Sequence, residues 1–93
     1  FGDGTYTMAD DVDIDGFDGP GNVVLLGNGS DTTLSTTKSV YLDFASGKAI
    51  RVSRCNCVVA IKYFKIRCYD NYVCINTANC KYVVIDRNTV LIL

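Results

Sequence analysis

The chain has 93 residues, enough for one domain or part of one, and nine bases against ten acids leave a net charge of −1. It has no run of about 18 apolar residues, which excludes a membrane-spanning helix. It begins at Phe1 with no charged and then apolar leader, so it reads as a processed product or a fragment, with no signal peptide. Glu, Gln, His and Trp are absent and every acid is Asp, while Val, Ile, Thr, Tyr and Phe abound. That palette favours short strands separated by turns over helices.

In chain order, short strands are predicted at Val12–Ile14, Val23–Leu26, Thr32–Leu34, Val40–Leu42, Ile50–Val52, Val58–Ile61, Lys65–Arg67, Val73–Ile75, Val83–Ile85 and Thr89–Ile92. Gly, Asn, Asp, Ser or Cys stand between them. No segment keeps a helical apolar period with caps, so no long helix is expected.

An internal repeat arranges these strands. Sliding "AIRVSRCNCVVAIKYFKI" by 23 residues lays Ile50 on Val73, Val52 on Ile75, Cys57 on Cys80 and Ile61 on Val84; one inserted residue then lays Ile66 on Val90. The preceding unit, Val23 to Leu42, is longer by about four residues and keeps the order of three strands. A unit of this size with three short strands fits one coil of a parallel β-helix, each strand pairing with its equivalent about 4.8 Å away in the next coil. The expected fold is all-β, a right-handed parallel β-helix of three to four coils: an opening strand and turn over 1–21, then three coils over 22–93.

The segments "GDGTYTMADDVDIDGF", "GNVVLLGNGSDTTL", "VSRCNCVVAIKYFKI" and "INTANCKYVVIDRNTV" resemble the pectin-lyase-like right-handed parallel β-helix superfamily. They are similar in particular to β-helix modules of bacteriophage tail spikes, tail fibres and prophage proteins. The resemblance spans nearly the whole chain and implies the fold more than any activity, because that fold hosts lyases, hydrolases, adhesins and inert spacers.

The stretch "DDVDIDGFDG" opens like an EF-hand loop, with Asp11, Asp13, Asp15 and Gly16. A strand explains it better. Val12 and Ile14 point inward while the aspartates face water, Asn22 stands where the bidentate carboxylate is needed, and Pro20 between Gly19 and Gly21 makes a turn. Asp13, Asp15 and Asp18 remain a weak calcium candidate; no metal or other cofactor is expected.

The five cysteines, Cys55, Cys57, Cys68, Cys74 and Cys80, lack zinc spacing and have no His beside them. Cys57 and Cys80 would fall one coil apart, within reach of a bridge. The preferred reading is two free thiols stacked as small apolar residues, with no disulfide, as suits folding in a reducing cytoplasm.

The charges are segregated. Residues 1–37 carry seven Asp and no base, and residues 38–93 carry all nine bases and three Asp. The simplest reading is an acidic part of one domain set against a basic part. The bases are scattered singly along strands, which argues against nucleic acid. After residue 31 the acids are Asp43, Asp70 and Asp86, and no carboxylate pair for acid–base catalysis stands out, so an enzyme is not expected. Tyr63, Lys65, Arg67, Tyr69, Tyr82 and Arg87 are the candidate ligand-binding residues, aromatics interleaved with bases on an outer wall.

The apolar "TVLIL" terminus would leave a coil edge bare, which points to a longer protein or to self-association, as a homotrimer or by end-to-end stacking. The expected function is a structural and host-recognition module of a phage tail fibre or spike. It would assemble in the bacterial cytoplasm, reside in the virion, and bind a bacterial surface polysaccharide or partner subunit without membrane insertion. The alternatives are a fragment of a polysaccharide lyase or hydrolase, and a self-stacking bacterial surface adhesin or fibre subunit, which would be extracellular.

Overall fold

The computed structural model describes residues 1–2, 4–27, 40–70 and 73–93. The predicted strand Thr32–Leu34 lies outside them. Ten strands and no helix make up the described chain: β1 Gly4–Met8, β2 Val12–Asp15, β3 Asn22–Leu26, β4 Val40–Phe44, β5 Ile50–Ser53, β6 Val58–Lys62, β7 Phe64–Cys68, β8 Ile75–Ala78, β9 Tyr82–Asp86 and β10 Thr89–Ile92. They form three sheets, ordered β1-β4-β7-β10, β2-β5-β8 and β3-β6-β9. Every pairing between them is parallel. The chain visits the first, second and third sheet in turn and then returns to the first, one strand along. The resulting body measures 35 × 33 × 17 Å.

The step between circuits is 24 residues in two sheets, where Val40 pairs with Phe64 and Val59 with Val83, and 25 in the other, where Ile50 pairs with Ile75. The 23-residue shift is therefore corrected. Val52 meets Thr77 and Ile61 meets Ile85, while Ile66 does meet Val90. The predicted strand at Val73–Ile75 moves to Ile75–Ala78, because the circuit is one residue longer than the shift assumed and the turn before β8 carries one residue more than the turn after β4. The first circuit begins earlier than expected. β1 and β2 are paired strands of that circuit, and Gly4 meets Val40 after 36 positions, with the excess falling between β3 and β4.

Side-chain alternation puts one residue in two on the inside. Inside, Tyr6, Leu42, Ile66 and Val90 form one row; Ile14, Val52 and Thr77 another; Leu25, Ile61 and Ile85 a third. The second circuit contributes the most deeply buried members, including Val40, Leu42, Phe44, Ile50, Val52, Val59 and Ile61. Neighbouring circuits cover both of its edges, and each such side chain, fully buried, contributes about 1.5–3 kcal/mol.

The corners repeat as well. Gly16, Arg54 and Asn79 have φ of 74°, 49° and 54°. They stack, because Gly16 N–H donates to Ser53 O and Arg54 N–H to Ala78 O. Gly47 and Asp70 (φ 77° and 50°) stack through Gly47 N–H to Tyr69 O, and Tyr63 and Arg87 (66° and 54°) through Tyr63 N–H to Asp86 O. One left-handed residue thus turns the chain at each corner of the second and third circuits. Gly, Asn and Asp take that conformation most readily, which accounts for Gly16, Gly47, Asp70 and Asn79, while Arg54, Tyr63 and Arg87 are held in it by the stacked corners. Asn88 locks one corner: its Oδ1 accepts from Phe64 N–H at 3.0 Å and its Nδ2 donates to Ile61 O at 2.8 Å. Gly27 stacks on Tyr63 through Gly27 N–H to Lys62 O, and a Cβ there would collide with the Tyr63 carbonyl.

Candidate functional site

The outer face of the first sheet gathers chemistry that its sequence scatters. Alternation turns Thr5 and Thr7, Tyr41 and Asp43, Lys65 and Arg67, and Thr89 and Leu91 outward. The register aligns Thr5, Tyr41, Lys65 and Thr89 in one row and Thr7, Asp43, Arg67 and Leu91 in the next. Thr5, Tyr41, Lys65, Arg67, Thr89 and Leu91 line a shallow groove of about 400 Å³.

Two cations stand side by side in that groove, two residues apart on one strand, or about 6.6 Å. The Lys65 ammonium donates to the Tyr41 hydroxyl at 3.3 Å and lies 5.0 Å from the ring centroid. Arg67 Nη2 sits 3.7 Å from Asp43 Oδ2, an ion pair longer than a hydrogen bond. Asp43 Oδ1 is buried and has no hydrogen-bond partner. A planar guanidinium so loosely held keeps donors for a carboxylate or hydroxyl ligand. The Tyr41 ring and Thr hydroxyls add an apolar face and neutral hydrogen-bonding groups. Together they can bind a polyhydroxylated, anionic chain laid along the wall.

Of the six candidate ligand-binding residues, only Lys65 and Arg67 meet here. Tyr63 is buried at a corner and Arg87 stacks on the same corner. Tyr69 lies at the turn after β7, and Tyr82 on the outer face of the third sheet beside Lys81, whose Nζ is 5.8 Å from its ring centroid. Tyr41, Asp43, Thr5 and Thr89 were missed as site residues. The signal for them was pairing register, since each is ordinary within its own segment.

Four aspartates of the first circuit, Asp10, Asp11, Asp15 and Asp18, are occupied with side chains and backbone of the second. Asp10 pairs with Lys48 at 3.4 Å and Asp11 with Arg51 at 3.2 Å, while Asp11 Oδ1 also accepts from Ala49 N–H at 2.8 Å. Asp15 accepts from Arg54 through both carboxylate oxygens, and from Ser53 Oγ at 2.9 Å. Asp18 accepts from Asn56 Nδ2 at 3.1 Å. The Ala49 amide, aided by Arg51, holds the Asp11 carboxyl below its ordinary range. Arg54, then Ser53, holds that of Asp15 down to about 2. The weak calcium candidate is corrected accordingly: Asp15 and Asp18 are turned to different partners, and the described residues contain no cluster of acids or thiols fit to hold a metal. The segregated charges are circuits stacked acid on base.

The cysteine expectation is also corrected. Cys68 and Cys74 form a disulfide with Cα atoms 5.8 Å apart, closing the turn between β7 and β8; no bridge was expected there. The two flank one turn, six residues apart. Cys55, Cys57 and Cys80 are free. Lys81 N–H donates to Cys55 O at 3.0 Å, which sets Cys80 on Cys55 and not on Cys57. Cys57 instead lines a shallow, open pocket of about 300 Å³ beside the Phe17–Asn22 turn.

No known protein family, curated protein or solved structure matches this chain.

Proposed function

We propose that the chain is a right-handed parallel β-helix acting as a structural and host-recognition module of a phage tail fibre or spike, with the first sheet's outer groove as its binding wall. The observation that carries the reading is the groove itself, in which Tyr41, Lys65 and Arg67 converge between Thr5 and Thr89 on stacked, paired strands. Stacked backbone ladders make a stiff support, and a stiff support holds a shallow site in shape without spending binding energy on ordering it. The ligand is a bacterial surface polysaccharide carrying carboxylates. The Cys68–Cys74 bridge accords with a final location outside the reducing cytoplasm.

Calorimetric titration with purified acidic capsular polysaccharides tests this. Saturable binding that falls at least tenfold in Lys65→Ala and Arg67→Ala, and less in Tyr82→Ala, is the expected result. Binding unchanged by both groove variants, or none to any acidic glycan, overturns it.

A second reading, a polysaccharide lyase or hydrolase, is favoured by the unpartnered Asp43 Oδ1 beside Arg67 in the same wall. New reducing ends or unsaturated products, lost in Asp43→Asn, would establish it. Self-association is the third element of the proposal: Val24, Tyr82 and Val84 form an exposed apolar strip on the outside of the third sheet. Light scattering that returns only a 10.2 kDa species would remove it.

A further inference from the structure

We propose that Cys55 and Cys80 are a redox-active pair, closed into a disulfide between successive circuits by exchange with a small-molecule disulfide. The two residues occupy equivalent places at the same corner. Arg54 N–H donates to Ala78 O and Lys81 N–H to Cys55 O, so the ladder that pairs Ser53 with Ala78 continues through this corner and puts Cys55 opposite Cys80. In-register parallel neighbours stand about 4.8 Å apart at Cα, inside the window of roughly 4.4–6.8 Å that a disulfide spans. The thiols share a geometry too: Cys55 Sγ donates to Ser53 O at 3.2 Å and Cys80 Sγ to Ala78 O at 3.3 Å, each to the carbonyl two residues back. Cys55 Sγ also lies 3.6 Å from Ile14 O in the first circuit, so rotation about its χ1 away from that carbonyl is what brings it toward Cys80.

Burial sets the order of events. Cys80 is half-buried and Cys55 is 2% exposed. The Cys80 thiolate attacks the external disulfide, forming a mixed disulfide and releasing one thiolate. The Cys55 thiolate then attacks the Cys80 sulfur, forming the internal bond and releasing the second. Two protons pass from the protein thiols to the released thiolates, and the external disulfide is the oxidant. Cys57 is no competitor, because it lines the open pocket on the side of the first circuit. The existing Cys68–Cys74 bridge lies within one circuit, whereas this one would tie two circuits together.

The test is to incubate the folded protein with oxidised glutathione, cap remaining thiols with N-ethylmaleimide, digest with trypsin and sequence the products by mass spectrometry. The expected product joins the peptide beginning at Cys55 to the one ending at Lys81, about 2 Da lighter than the pair of thiols. Its fragments place the bond at Cys55 and leave Cys57 capped. In Cys80→Ser the product disappears, and in Cys57→Ser it persists. A bond that maps to Cys57, or a Cys80 that remains only glutathionylated, overturns the proposal. The mapping uses the unaltered chain, so the result does not depend on any variant folding.

Discussion

Arg54 grips Asp15 through both carboxylate oxygens, although 38 residues lie between them in sequence and they belong to successive circuits. A forked guanidinium–carboxylate contact of this kind fixes direction as well as distance. Its effect is to pin the register of the first circuit on the second at the point where the chain turns.

The pH dependence follows from that contact. The folded pKa of Asp15, about 2, lies below the ordinary 3.8, so its contribution to stability is complete above the ordinary value and is lost as pH falls from 3.8 towards 2. Urea midpoints measured from pH 6 to 2 should fall across that window in the native chain and fall less in Asp15→Asn. Identical acid profiles would show that the pair does not form in solution.

Asn88 joins two circuits through a single side chain. Asn88→Ala strips Phe64 N–H and Ile61 O of their partners, and a buried group left unpaired costs about 1–3 kcal/mol. Asn88→Asp keeps the acceptor but sets a carboxylate oxygen against the Ile61 carbonyl, so at neutral pH its loss should be at least as large. Denaturant unfolding of both variants checks the order.

At Asn79, exposed with φ 54°, the corner needs a left-handed residue and little else. Asn79→Gly should leave stability unchanged or raise it slightly. Asn79→Val should lower it by about 1–2 kcal/mol, because a branched Cβ crowds the backbone there. Thermal melts of the pair decide it, and equal melting points would refute the corner argument.

Ile61 and Ile85 sit in one row of the third sheet, but Ile61 is 0% exposed and Ile85 51%. Ile61→Ala should cost about 2–5 kcal/mol, and Ile85→Ala in the same 93-residue chain less than half of that. Paired unfolding curves measure the difference. A comparable loss at Ile85 would mean that something covers it in solution, a second copy included.

Much of this molecule is legible in the amino-acid order alone. Local pattern is enough to place strands such as Val58–Ile61 and Thr89–Ile92, because period-two alternation and flanking turn residues act within a few positions. The same pattern turns the aspartates of "DVDID" outward. Similarity between units brings Ile66 to Val90. Local pattern cannot count residues in a turn: a circuit of 24 residues in place of 23, with one more residue before β8, moved the pairing of Ile50 from Val73 to Ile75 and gave Cys80 a different neighbour. Nor does it find Tyr41 beside Lys65, or Asp15 beside Arg54. Those meetings depend on where the chain stands after a full circuit, and that position is set by backbone hydrogen bonds between circuits and by which side chains fill the core. The strands are written in nearest-neighbour chemistry; the groove and the ion pairs are decided by register, which only the folded chain possesses.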